Sequence, residues 1–215
     1  RAHIDIIATN IRAAVAEALA TKKSTVGANT VNDSTPFVGF SKIPRLFRDI
    51  VITEKIDGTN AQIVISENPE EPLYPASRTR FIGTMNDNHG FAKWVLENEA
   101  ELRKLGPGRH FGEWWGQGIQ RNYGLKEKRF SLFNVAKWSD PSVRPACCHV
   151  VPVLATGMFG TWFVWDTMMN LSLKGSAAAP GFMNPEGVVV FHKAGNLLFK
   201  ATLEKDNEHK GVEKT

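Results

Sequence analysis

Ile50-Val51-Ile52-Thr53-Glu54-Lys55-Ile56-Asp57-Gly58-Thr59-Asn60-Ala61-Gln62-Ile63-Val64-Ile65-Ser66 is the stretch on which the reading of this chain turns. Ile50–Glu54 and Ala61–Ser66 are rich in β-branched residues and flank the turn dipeptide Asp57-Gly58. They read as a hairpin-like pair of strands. The interest lies between them, where a lysine and a carboxylate stand at a strand end. An amine attacks only when neutral, and free lysine is protonated at neutral pH. A nucleophilic Lys55 therefore needs nearby cations or burial, and a divalent ion near Asp57 is one source of positive charge.

Working outward, the pattern is strands interrupted by a few helices. Phe91 to Leu105 reads as a helix stopped by Gly106-Pro107-Gly108. His110–Trp115, Phe130–Ala136 and His149–Leu154 read as strands, and Met158 to Leu173 as a helix. Gly187–His192 and Asn196–Leu203 read as a second antiparallel pair. The expected class is α+β with antiparallel pairing. Upstream, Ile7, Ile11, Val15 and Leu19 form one apolar helical face, followed by a polar linker. Residues 1–35 are thus expected to form a helix and linker, and residues 36–215 one domain.

Composition bounds the answer. The 215 residues suffice for one domain with a real core. An apolar share of 42% and a charged share of 22% argue against disorder. The net charge of +4 permits a polyanionic partner without demanding one. Two adjacent cysteines, Cys147 and Cys148, supply neither a disulfide framework nor zinc spacing. They read as reduced thiols of a cytoplasmic protein. The uncharged run Pro145 to Trp165 is broken by Pro152, Gly157 and Gly160. It reads as strand, turn and helix start rather than a membrane span. The N-terminus shows no secretory pattern.

Further segments add chemistry. Ser77-Arg78-Thr79-Arg80 carries two cations, and Phe111-Gly112-Glu113-Trp114-Trp115-Gly116 places a carboxylate on an aromatic strand. Phe130-Ser131-Leu132-Phe133 alternates, so that Phe133 faces away from Phe130 and Leu132. Pro185-Glu186-Gly187-Val188-Val189-Val190 starts a strand with a carboxylate. Phe199-Lys200-Ala201-Thr202 sets a lysine in an apolar strand, where it calls for an anion. Arg121 to Lys137 holds Arg121, Lys126, Lys128, Arg129 and Lys137 against Glu127. This run is a candidate phosphate-backbone track.

These segments, in this order, resemble the nucleotidyltransferase motifs of the covalent polynucleotide ligase superfamily. Within it, Lys55-Ile56-Asp57-Gly58-Thr59-Asn60 and the run Phe111 to Tyr123 resemble the ATP-dependent RNA ligases of the nick-sealing phage type. The resemblance implies an antiparallel-sheet, ATP-grasp-like adenylation domain. It also implies ATP and Mg²⁺ (or Mn²⁺) as cofactors and RNA as partner, as a nicked duplex or a DNA/RNA hybrid.

Residue roles follow from the same resemblance. Lys55 would attack the α-phosphorus of ATP and form lysyl-AMP. AMP would pass to a 5′-phosphate end, and a 3′-OH would then displace it. Arg78 and Lys200 would contact phosphate or ribose beside Lys55, and Glu113 the ribose hydroxyls. Phe133 would stack on adenine, and Glu54 would help position it. Asp57, Glu113 and Glu186 would hold the metal, partly through water. Asn60, Arg121, Lys126 and Lys128 would touch the nucleic acid. The pattern departs from the family at Thr202, where a second basic residue is usual; Lys193 or Lys205 would substitute. The sequence has no room after Lys200 for the usual C-terminal domain, so a partner is expected to supply the missing grip. A cytoplasmic location is expected, in the host if the chain is phage-encoded, with no membrane role. Two other readings stay open: a minimal DNA or hybrid nick ligase, and a degenerate nucleotide- or RNA-binding module.

Overall fold

Strands that adjoin in sequence part company in space. The computed structural model describes residues 38–204. In it, β1 (Asp49–Lys55) enters a four-stranded sheet, whereas β2 (Thr59–Ile65) enters a five-stranded one. The expected hairpin between them is therefore absent. A primed hairpin turn needs positive φ at its central residues, and Gly58 is not among the positive-φ glycines. Ile56-Asp57-Gly58 instead carries the chain from one sheet to the other.

In the second sheet β2 lies between β3 (Tyr74–Ser77) and β4 (Gly108–Gly116), and β4 continues to β5 (Lys128–Leu132) and β6 (His149–Val150). In the first sheet β1 lies between β7 (Val153–Met158) and β8 (Gly187–His192), with β9 (Leu197–Thr202) at the edge. All pairings are antiparallel except β5 with β6. The α+β class and the antiparallel pair β8–β9 are as expected.

Helices cover one face of each sheet. α1 (Phe91–Glu97) and α2 (Glu99–Leu102) contribute Phe91, Val95 and Leu102 to a core with Ile63, Trp114 and Phe130. The single helix expected over Phe91 to Leu105 is broken at Asn98, whose φ is −113°. Its side-chain amide donates to the Trp94 carbonyl at 2.8 Å and competes with the helical ladder. α3 (Val135–Trp138) replaces the second half of the strand expected over Phe130–Ala136. Asn134 caps it by accepting from the Lys137 backbone N–H at 3.2 Å. α4 (Thr161–Lys174) packs Val164, Met168 and Leu171 on Ile50, Ile52, Val188 and Val190.

The strand expected over His149–Leu154 also divides between the sheets. Val151-Pro152 crosses from β6 to β7, and proline cannot donate to a ladder. Both crossings meet in a third cluster of Ile56, Trp115, Tyr123, Val151 and Ala179, which joins the sheets. Among the described residues no helix is long and apolar enough to cross a membrane. The expected N-terminal helix and Lys205 lie outside the described residues.

Candidate active site

Alternation along each strand decides what faces the space between the sheets. Ile50, Ile52 and Glu54 are buried on the α4 side of β1, so Thr53 and Lys55 take the opposite side. Thr53 pairs with Val189, and Val189 with Lys200. Lys200 therefore shares the face of Lys55, two residues along the ladder, and it is exposed. In the other sheet His110, Gly112 and Trp114 turn to the α1 side, leaving Phe111, Glu113 and Trp115 on the side facing β1. Asn60 lies directly opposite Glu113.

Lys55 ends β1 at the crossing. Its Nζ lies 2.5 Å from Glu186 Oε1, and both side chains are largely shielded. Glu186 immediately precedes β8, and its carbonyl is held by the Leu203 N–H at 2.9 Å. Gly187 permits this close approach: a Cβ there would stand 2.2 Å from the Ala201 carbonyl oxygen, and its φ is +154°. The second Glu186 oxygen is buried with no hydrogen-bond partner among the described residues. A buried acceptor left unpaired is costly unless a cation or a proton meets it.

Glu113 accepts the Gly58 N–H at 3.2 Å. Burial raises its pKa to about 7, against the opposing pull of Lys55 and of that hydrogen bond; Glu186 and Asp57 push it further up. A carboxyl that holds its proton near neutrality is suited to proton exchange. Gly58 is required for clearance rather than for a left-handed turn. A Cβ there would lie 2.5 Å from the Trp114 carbonyl oxygen and 2.7 Å from Trp115 Cβ.

Asp57 is engaged twice. Its N–H donates to the Tyr123 hydroxyl at 2.7 Å, and its Oδ2 accepts from Arg121 Nε at 3.0 Å. Arg121 also reaches the Asn184 carbonyl. Arg121, expected at the nucleic acid, is largely shielded where it pairs with Asp57. Among the described residues no three of His, Cys, Asp or Glu are grouped closely enough to hold a metal ion by themselves. Asp57 is neutralised by Arg121, whereas Glu186, with its orphaned oxygen, and Glu113 remain suited to a hydrated cation.

Glu54, expected to help position the base, takes the opposite face of β1 from Lys55 and is 1% exposed. Its carboxylate accepts from Ser176 Oγ at 2.6 Å and from the Ala178 N–H at 2.8 Å. Burial raises its pKa against these bonds. Both oxygens are thus used to hold the segment that carries Ala179 into the inter-sheet cluster.

The remaining expected residues line the rim. Phe133 follows β5, is 39% exposed and takes the side of Ser131, which pairs with Glu113. Arg78 is exposed in the turn just past Ser77, where the Ser77 N–H donates to the Arg80 carbonyl at 2.8 Å. Lys126 and Lys128 are exposed, and Lys128 donates to the His89 carbonyl at 2.7 Å. The rest of the basic run is spent locally. Arg129 pairs with Glu127 and stacks over Trp115, and Lys137 lies over the Trp138 ring.

Tyr123 and Ser176 escaped the sequence reading as site residues. Tyr123 sits in a run where Gln120, Asn122 and Tyr123 all have positive φ. Backbone held in that region for non-glycine residues marks a functional or constrained segment. The aromatic-rich run ending at Tyr123 was the available signal; nothing in the sequence marked Ser176.

A protein-family profile described as RNA ligase matches residues 48–202. Comparison with curated proteins finds no match. Solved structures of a Naegleria gruberi RNA ligase match in fold. An apo mutant aligns with TM-score 0.53 and 19% identity, over 72% of this chain and 49% of that one. A mutant with ATP and Mn aligns with TM-score 0.52 and 18% identity, over 72% and 50%. A mutant with AMP and Mn aligns with TM-score 0.54 and 19% identity, over 73% and 50%. The chain thus spans about half the length of these structures. The profile covers well over half of the chain, and its span runs from the first strand of the Lys55 sheet to the end of the last: the chain belongs to the RNA ligase family.

Proposed function

We propose that this chain is an ATP-dependent RNA ligase whose described residues are its adenylation domain. Lys55 Nζ attacks the α-phosphorus of ATP, the bond to the β-phosphate oxygen breaks, and pyrophosphate leaves. AMP then moves from Lys55 to the 5′-phosphate of an RNA end, and a 3′-OH displaces AMP to close the strand. The single observation carrying this reading is the Lys55–Glu186 pair at the crossing between the sheets, with one Glu186 oxygen buried and without a partner among the described residues.

The chain's own residues supply positioning and proton handling. Glu186 Oε1 fixes Nζ and accepts its proton as the amine attacks. Phe133 offers an exposed ring for adenine, and Lys200 brings positive charge to the α-phosphate on the Lys55 face. Arg78, in the turn that follows the edge strand, and Asn60 take ribose or phosphate groups of the nucleotide and the RNA end. Lys126 and Lys128 meet the backbone of the nucleic acid farther out. Glu54 acts by bracing the 176–179 segment rather than by touching the base. A divalent ion such as Mg²⁺ or Mn²⁺, when bound, neutralises phosphate charge; Glu113 and Glu186 would hold it, largely through water. The neighbouring structures solved with ATP or AMP and Mn support this choice of ligands.

The test is direct. The protein is incubated with ATP labelled at the α-phosphate and with Mg²⁺ or Mn²⁺. Covalent label on wild type and on Lys93→Ala that resists alkali and is lost in acid, as a P–N bond requires, but none on Lys55→Ala, is expected. No label with either metal would sink the proposal. Nicked RNA, nicked DNA, hybrid duplexes and single-stranded RNA then select the substrate, and sealing of RNA ends is the expected result.

A further inference from the structure

Cys147 and Cys148 take no part in the cleft between the sheets, yet their geometry is that of a working pair. The turn that carries them is closed by the Cys148 N–H donating to the Pro145 carbonyl at 2.9 Å. Their Sγ atoms stand 4.0 Å apart, at sulfur hydrogen-bond distance. The two sulfurs are unequal. Cys148 is buried in the core with Leu132 and Trp138, whereas Cys147 is only partly buried against it.

That inequality decides which sulfur ionises. A thiolate is disfavoured in an apolar core and favoured where solvent reaches it. Burial therefore favours the protonated form at Cys148, which makes it the better S–H donor of the two. The directions agree: the bond from Cys148 lowers the Cys147 pKa, while that same bond and burial raise Cys148. Beyond the turn, Lys104 and Glu101 form an ion pair, and Glu101 accepts the Ala146 N–H at 3.3 Å. The more solvent-accessible sulfur thus sits at the surface end of a fixed turn, beside that ion pair. Glu101 opposes its ionisation more than Lys104 aids it, so the contact with Cys148 is what favours the thiolate.

We propose that Cys147 is a site of reversible modification by a low-molecular-weight disulfide, with Cys148 as the positioning residue that donates S–H to the reacting sulfur. In the step, the Cys147 thiolate attacks one sulfur of a disulfide RSSR. The S–S bond of RSSR breaks, a Cys147–S–S–R bond forms, and the leaving thiolate RS⁻ takes a proton from water. An external thiol reverses the exchange. The buried Cys148, which retains its proton, does not go on to close a bond to Cys147.

The experiment exposes the reduced full chain to glutathione disulfide at slightly alkaline pH and follows intact mass and peptide maps. One glutathione per chain is expected, located on Cys147 and removed by dithiothreitol, with none on Cys147→Ser. Cys148→Ala should slow uptake about tenfold by removing the donor. Cys148→Ser, which keeps a hydroxyl donor of similar size, should stay near the wild-type rate and guards against a folding defect in the alanine variant. The proposal is overturned by no adduct, by an adduct on Cys148, or by a bond between the two cysteines. It is equally overturned if both Cys148 variants react at the wild-type rate.

Discussion

A proton on Glu113 favours the folded chain over the unfolded one. Its pKa rises from 4.5 to about 7 on folding, chiefly through burial. Between those values the native state keeps a proton that the unfolded state has released. By linkage, stability falls as pH rises through that window, the reverse of the usual paired carboxylate. The full shift corresponds to at most about 3 kcal/mol. Unfolding in chelator should therefore show wild type losing more stability than Glu113→Gln from mildly acidic to neutral pH, the residual slope of the variant coming from Glu54, His110 and His149. Parallel profiles for wild type and variant would refute the assignment. Tyr123 makes a second residue-scale case, since its hydroxyl is the acceptor for the Asp57 N–H. Tyr123→Phe should cost about 1–3 kcal/mol by leaving that donor unpaired, read as a shifted urea midpoint. It should also slow lysyl-AMP formation, because the crossing that holds Lys55 loses an anchor.

At the level of the element, the decisive feature is the short link Ile56-Asp57-Gly58. Asp-Gly between two β-rich runs is a strong local signal for a hairpin turn, yet here it joins two different sheets. The strands were legible, since their composition and alternation are local properties. Their partners were not, because β1 pairs with β7 and β8, far along the chain. Gly58 was legible as necessary, but for the wrong reason. Its task is to let the link pass Trp114 and Trp115. Gly58→Ala should therefore cost about 1–3 kcal/mol through overpacking. Retention of wild-type stability and adenylylation in that variant would contradict the close approach.

Across the two sheets, function rests on how they are joined. Ile56 and Val151, one from each crossing, meet Trp115, Tyr123 and Ala179. Ile56→Ala should destabilise by about 2–5 kcal/mol, measured by thermal or urea unfolding. Since Lys55 and Glu113 come from opposite sheets, the same variant should lose adenylylation in conditions where it remains folded. A surface change such as Lys93→Ala should alter neither.

The fold class and most of the strand segments could be recovered from the chain as written, though β3 was not, and the strand expected over Phe130–Ala136 ends in α3. Local pattern specifies strands, and the ordered motifs around Lys55, Glu113, Glu186 and Lys200 specify a chemistry. What only the folded molecule decided is which charged groups meet. Arg121 sits in a basic run, yet it neutralises Asp57 across the crossing. Glu54 neighbours Lys55 in sequence, yet it faces the other side of β1 and braces Ser176 and Ala178. Strand alternation sends adjacent residues to opposite faces, and burial then matches each charge to whatever lies nearest in space. Those partners are set by the pairing of distant strands, which one-dimensional order does not encode.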